Sequence, residues 1–295
     1  MPSIPCPMRF SADCVPCLLG RVIYETDLVA PSKRAEAVNA GLELIAPGSQ
    51  AEENSAKLAT RVHARVYDLI GSKDPYLDLK RRSNLAAEKM LPRAREFVEA
   101  HVDSLRAACL VSIAGNVLDF GIDIGIDGPE QFGRKFDQVV SQGINSDHVD
   151  RFRTLLEGAK NVVYLTDNAG EIVLDRLLVE QIQYMGVQVH GVVKGEPILT
   201  DATADDLKDT GMDKVFDSWS TTGQFAVGID LDRIPKELGQ TLRRADLIIA
   251  KGMANFESLS EESLRPVVYI FRAKCRPVAE AIGAKKDDNV VKVVE

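Results

Sequence analysis

The side chains most suited to chemistry in this 295-residue chain are two carboxylates and a carboxamide: the adjacent pair Asp167 and Asn168, and Asp201. The pair lies in Thr166-Asp167-Asn168-Ala169-Gly170-Glu171, and Asp201 follows Pro197-Ile198-Leu199-Thr200. Their hard oxygens suit a divalent cation and leave sites for water and a phosphoryl oxygen. Lys251, Lys274 and Arg272 carry the charge that neutralises phosphate oxygens. Asn116 and Asn255 offer carboxamide donors without adding charge. Taken singly, each residue has an ordinary explanation, since Asp and Asn cap helices and lysines populate surfaces. A Cys14-x-x-Cys17 pair precedes a helical pattern and is open to three readings: a metal or redox pair, a support beside an active site, or two buried small residues.

The elements around these residues make the joint arrangement harder to dismiss. An apolar, β-branched run at 162–165 precedes the Asp167-Asn168 turn, and a helical pattern from Ile172 follows it. Similar runs at 187–193, 247–250 and 267–271 lead directly into the loops carrying Asp201, Lys251 with Asn255, and Arg272 with Lys274. A further run closes the chain at 290–294. Helical patterns lie between the runs, which is the alternation of βαβ units around a parallel sheet. All carboxyl ends of such a sheet share one edge, so the four polar loops should converge there.

The first half reads differently. Helical periodicity marks 35–45, ended by Pro47-Gly48, and 56–70, ended by Gly71. A loop at 71–76 leads to a long helix over 84–102 that Pro92 should kink. An Ala-rich apolar helix over 104–117 offers Asn116 to a pocket. Lys80-Arg81-Arg82 reads as a solvated helix face or, as the lesser alternative, a basic cluster facing a phosphate-bearing ligand, and His63 and His101 as structural or surface residues. The expected organisation is a mainly helical region at 1–150 and an α/β core at 151–295.

Composition narrows the function. The formal charge is −8, the isoelectric point is about 5.2 and no basic stripe is present, which argues against nucleic acid as a partner. No apolar run approaches the roughly 18 residues of a membrane span. The start, MPSIPCPMRF, lacks the apolar core of a signal peptide, so the expected location is the cytoplasm. Five cysteines argue against a disulfide framework. No Gly-x-Gly-x-x-Gly follows a strand and no P-loop is present, which disfavours a nucleotide- or S-adenosylmethionine-binding transferase. A non-catalytic metal or redox sensor built on Cys14, Cys17 and Cys275 would not need two lysines on the phosphate side.

The ordered stretches Cys14-x-x-Cys17, 115–121, 167–171, 197–203, Lys251-Gly252 with Asn255, and 272–275 resemble the metal-dependent damage-control phosphatases, also called domain-of-unknown-function family 89. The N-terminal cysteine pair and the compact length are similar to the smaller archaeal and microbial subgroup. The resemblance implies a Rossmann-like α/β/α core with a mostly parallel sheet behind a helical N-terminal region. It implies hydrolysis of small phosphorylated metabolites (sugar phosphates, damaged nucleotides or phosphopantetheine derivatives) with Mn²⁺, Co²⁺, Ni²⁺ or Mg²⁺. The family's metal ligands fall on Asp167, Asn168 and Asp201, and its phosphate contacts on Asn116, Lys251, Asn255 and Lys274. Thr200 stands where relatives often carry Asn, which keeps an oxygen and loses an amide donor. Expected roles are Lys251 and Lys274 on the phosphate, with water at the metal or the carboxylate of Asp167 or Asp201 as nucleophile and Asp201 as acid–base partner. Glu171 is expected to cap its helix rather than to take part in catalysis.

Overall fold

The computed structural model describes residues 7–51, 53–116 and 129–295. Cys6 and residues 117–121 of the motif that begins at Gly115 lie outside them. The first half is helical: α1 (Cys14–Val29), α2 (Arg34–Gln50), α3 (Ser55–Ile70), α4 (Leu77–Ala100), α5 (Ser104–Gly115) and α6 (Pro129–Gln142). Strands and helices then alternate: β1 (Ser146–Asp147), α7 (Val149–Gly158), β2 (Asn161–Leu165), α8 (Glu171–Tyr184), β3 (Gln188–Val193), α9 (Ala204–Asp209), β4 (Ser218–Thr221), α10 (Lys236–Arg244), β5 (Leu247–Lys251), α11 (Gly252–Leu259), β6 (Val267–Arg272), α12 (Arg276–Ile282) and β7 (Asn289–Val294).

The strands form one sheet in the order β1-β7-β6-β5-β2-β3-β4. From β6 through β4 every pairing is parallel, and β7 runs antiparallel to β6. Alternation along each strand feeds two cores. Val162, Tyr164, Leu247, Ile249, Val268 and Ile270 face a cluster built with α5 and α8. Val163, Leu165, Ile248, Ala250, Tyr269 and Phe271 face a second cluster with α10, α11 and α12. That is an α/β/α arrangement, and both strand faces are apolar for that reason. A third cluster, with Val22, Ile45, Leu58, Val62 and Val66, holds α1, α2 and α3 together. No helix among the described residues is long and apolar enough to cross a membrane.

Three expectations change. The second helix does not stop at Pro47-Gly48, because α2 continues to Gln50. Gly48 serves packing instead: a Cβ there would lie 2.7 Å from the Leu58 side chain, so the glycine lets α2 approach α3. The fourth helix starts at Leu77 and runs through Pro92, carried past the missing N–H by Ala86, Ala87, Ala94 and Val98 buried against the core. Lys80 is not on a solvated face. It is 2% exposed and reaches Asp74 at 2.9 Å and Asp206 at 3.2 Å. Burial alone would lower its pKa, but the two carboxylates outweigh that and raise it. The adjacent Asn84 donates to Asp206 at 3.0 Å and accepts from the Gly170 N–H at 2.6 Å. This buried link ties α4 to the turn that follows Asp167-Asn168.

Candidate active site

The site is built where β2 and β3 end. Thr166 stays paired to Val192 through both its N–H (3.0 Å) and its hydroxyl (2.8 Å). The next residues then turn to the loop after β3. The Ala169 N–H donates to the Thr200 carbonyl and the Ala202 N–H to the Asp167 carbonyl, each at 2.8 Å. Asn168 and Asp201 face each other across this short antiparallel bridge. Two loops, with Asn168 and Asp201 33 residues apart in the chain, thus bring Asp167, Asn168 and Asp201 into one place, where they are 7%, 3% and 5% exposed.

Carboxamides order the carboxylates. Asn168 Nδ2 donates to Asp167 Oδ2 at 2.8 Å and to Glu171 Oε2 at 2.9 Å. Asn116, at the end of α5, donates to the same two oxygens, each at 2.8 Å. Thr200 Oγ1 donates to Asn168 Oδ1 at 2.7 Å, so the hydroxyl at this position supplies a donor to the carboxamide. Lys194, at the end of β3 and 4% exposed, stands 3.2 Å from Asp201 Oδ2 and donates to the Gly228 carbonyl. Glu171 is fully buried and receives Asn116, Asn168 and Lys251, which is more than a helix cap.

Above this cluster lies a cavity of about 460 Å³, within the range of small-molecule sites. Asn116, Asp167, Asn168, Asp201 and Lys274 all line it. Lys274 Nζ donates to the Asn116 carbonyl at 2.5 Å and so stands beside the acidic cluster. The opposite wall comes from α1 and α3. Cys14, Cys17 and Cys275 lie on the wall as well, with burial pushing the Cys275 thiol up to about 12.

Three residues expected at this edge stand elsewhere. Lys251 is fully buried behind the wall, with Nζ 2.6 Å from Glu171 Oε1 and 2.8 Å from Asp175 Oδ1. Asn255 clamps strand ends, donating to the Thr166 carbonyl at 2.9 Å and the Lys251 carbonyl at 2.7 Å. Arg272 turns to Gln142 and Asn289, each at 3.0 Å. In the other direction, Lys194, Arg21 and His63 belong to the site's surroundings. Lys194 had a signal in its position after a strand; the two helical residues had none.

The donor set could hold a hard divalent cation. Among the described residues no group of three or more His, Cys, Asp or Glu is arranged to hold a metal, so a cation here would draw on carboxamide oxygens as well as on Asp167 and Asp201. One such oxygen is at hand: Asn116 Oδ1 is buried and has no hydrogen-bond partner among the described residues. A buried, unsatisfied acceptor beside two carboxylates is what a cation would relieve. Gly252 forms part of the same cradle. Its φ is +77°, and a Cβ would lie 2.0 Å from Asp167 Oδ2.

Comparison with known proteins decides the family. The family model of the damage-control phosphatase ARMT1-like domain matches residues 10–290. The chain belongs to this damage-control phosphatase family. It is 42% identical over 290 residues to a damage-control phosphatase of Archaeoglobus fulgidus, covering 98% of this chain and 100% of that one. A damage-control phosphatase of Pyrococcus horikoshii is 28% identical over 283 residues, covering 95% and 96% of the two chains. The fold superposes on the crystal structure of a domain-of-unknown-function family 89 protein from Pyrococcus horikoshii with a TM-score of 0.86, at 27% identity and 97% coverage of this chain and 99% of that chain. For a member of a phosphatase family, the Gly252 cradle has a direct consequence. Gly252→Ala should push the Asp167 carboxylate aside and lower kcat/KM by about a hundredfold, with the urea unfolding midpoint checked alongside. Near-normal turnover would show that the cradle does not position Asp167.

Proposed function

We propose that this chain is a divalent-metal-dependent phosphatase that hydrolyses phosphate monoesters of small metabolites in the cavity at the sheet edge. The observation that carries the reading is the bridge between Asn168 and Asp201, which joins Asp167, Asn168 and Asp201 beside the orphaned Asn116 Oδ1. In this reading Asp167, Asn168 and Asp201 hold the cation, and Asn116 Oδ1 is available to it. When bound, such a cation supplies Lewis-acid polarisation of the phosphoryl group.

The chain's own residues do the rest. Lys274, on the cavity wall beside Asn116, draws the phosphate to the edge and offsets its charge. The amides of Asn116 and Asn168 fix the Asp167 carboxylate through its Oδ2. Asp201, with Lys194 3.2 Å from its Oδ2, is the carboxylate assigned to acid–base exchange in this reading. Lys251 supports Glu171 from behind the wall instead of touching the phosphate, and Asn255 holds the ends of β2 and β5 in register.

The test is phosphate release from p-nitrophenyl phosphate, sugar phosphates and nucleotides by metal-stripped protein, with Mg²⁺, Mn²⁺, Co²⁺ or Ni²⁺ restored one at a time. Release that appears with a cation and disappears on chelation is the expected result. Equal release by the stripped protein would remove the cation from the reading. Silence on every ester with every metal, from folded protein, would remove hydrolysis itself.

A further inference from the structure

The wall facing the acidic cluster is built from two helical stripes. On α1, Cys14, Cys17, Leu18 and Arg21 share one face at helical spacing, and all four line the cavity. On α3, Ser55, Ala59 and His63 do the same. Seven residues of helix separate Cys14 from Arg21 by about 10 Å. The stripes therefore run along the cavity, and their two ends differ. At one end Cys17 is exposed and Ser55 Oγ donates to Glu257 Oε2 at 2.5 Å. At the other end Arg21 is 8% exposed and His63 is 1% exposed.

The buried end is organised. His63 Nδ1 donates to the Glu25 carboxylate, 2.9 Å from Oε2 and 3.0 Å from Oε1, and Glu25 is fully buried behind the wall. A carboxylate only accepts, so Nδ1 carries the hydrogen and Nε2 is the nitrogen left to meet a ligand. Glu25 lies one helical turn beyond Arg21 and does not line the cavity, whereas Arg21 and His63 do. The next turn of α3 ties this end to the catalytic loop, because the Leu199 N–H donates to Tyr67 Oη at 3.0 Å. The lining also carries Leu18, Ala59, Leu199, Val227 and Met253.

We propose that Arg21 and His63 form a second anion subsite, and that the substrate is a short phosphate monoester with a second anionic group, a carboxylate or a further phosphate, at its other end. This rests on the phosphate-ester reading of the Asp167–Asp201 pole. A guanidinium stays charged at any working pH and presents a donor fork matched to carboxylate and phosphate oxygens. In a chain with a net charge of −8, it brings a fixed positive charge to the cavity lining. The apolar lining residues suit a carbon skeleton. His63, pinned by Glu25, adds one fixed polar contact and so orients the group that Arg21 attracts.

Two matched substrate pairs test this with the metal-loaded full chain: glycerol phosphate against phosphoglycerate for a carboxylate, and a hexose monophosphate against its bisphosphate for a phosphate. At least one doubly anionic member should be preferred in kcat/KM, and the winning pair names the source of the charge. Arg21→Met should shrink that preference by about ten- to a hundredfold, the usual worth of a charge-assisted hydrogen bond. The loss should fall in KM more than in kcat, as for an interaction made equally in ground and transition states. Arg21→Lys should restore part of it, and His63→Gln should weaken it. A preference that is absent, or unchanged in Arg21→Met, overturns the proposal while leaving the phosphatase reading intact. If no ester is hydrolysed, calorimetric binding of the same pairs decides. Discrimination that depends on Arg21 keeps the subsite and sinks the phosphatase reading, and binding without discrimination sinks both.

Discussion

Asp167→Ala and Asp201→Ala proteins are expected to lose metal-stimulated phosphate release by about a thousandfold, while remaining folded. The two losses should differ in their side effects. In Asp167→Ala the Asn116 and Asn168 amides keep Glu171 Oε2 as an acceptor, so little buried polarity is stranded. In Asp201→Ala the buried Lys194 ammonium keeps only the Gly228 carbonyl among its described partners. That variant should therefore lose about 1–3 kcal/mol of stability on top of its activity. Calorimetric titration with Mn²⁺ should show weakened binding in both, which separates loss of the cation from loss of the fold. The double variant should be little worse than either single one, because residues that act as a unit are not additive. Either single variant turning over within a few fold of the parent, with the same metal stimulation, would remove it from the ligand set.

Much of this site was legible because strand ends announce themselves. An apolar β-branched run that stops at Thr166-Asp167-Asn168 fixes where a chemical group meets a sheet edge. The bridge from Asn168 to Asp201 needed only the parallel order of β2 and β3. The roles of individual side chains were less legible, and Lys251 explains why. It is the last residue of β5, and alternation puts it on the face of Leu247 and Ile249, toward α5 and α8. Position after a strand says that a residue is at the edge, whereas parity says which way it points. Arg272 follows the same rule, sharing the face of Val268 and Ile270 and reaching Gln142 and Asn289. The polar edge strand β4, Ser-Trp-Ser-Thr, lacks the apolar run that marks a buried strand. The two-residue β1 is too short to leave a pattern. Arg21 and His63 were hidden for another reason. A helical pattern shows which residues share a stripe, and only tertiary packing shows that the stripe faces a cavity.

Lys251→Met should destabilise the protein by about 3–5 kcal/mol at neutral pH, the usual result of breaking a buried charge pair by removing one partner. Lys251 is fully buried between the carboxylates of Glu171 and Asp175, and Ser112 Oγ also donates to Asp175 Oδ1 at 2.6 Å. Burial alone would lower the lysine pKa, but Asp175 and Glu171 outweigh it and hold the ammonium well above its ordinary range. Asp175 is raised to about 6, first by burial and then by the charge of Glu171, with Lys251 opposing both. A carboxylate raised in the folded state binds more protons there than in the unfolded chain. Its contribution to stability therefore falls as pH rises from its unfolded value of 3.8 through about 6. Without Lys251 the opposing force is gone, the folded pKa climbs further and the decline continues to higher pH. The deficit of the variant should thus be smaller at about pH 5 than at about pH 7.5, read from urea unfolding at both. Turnover should fall as well, because Glu171 holds both amides that order Asp167, and a Glu171 released from its lysine no longer fixes them. Parental stability in the variant, or a deficit that does not change with pH, would show that Lys251 is not the counter-ion of this pair, and would return it to the phosphate.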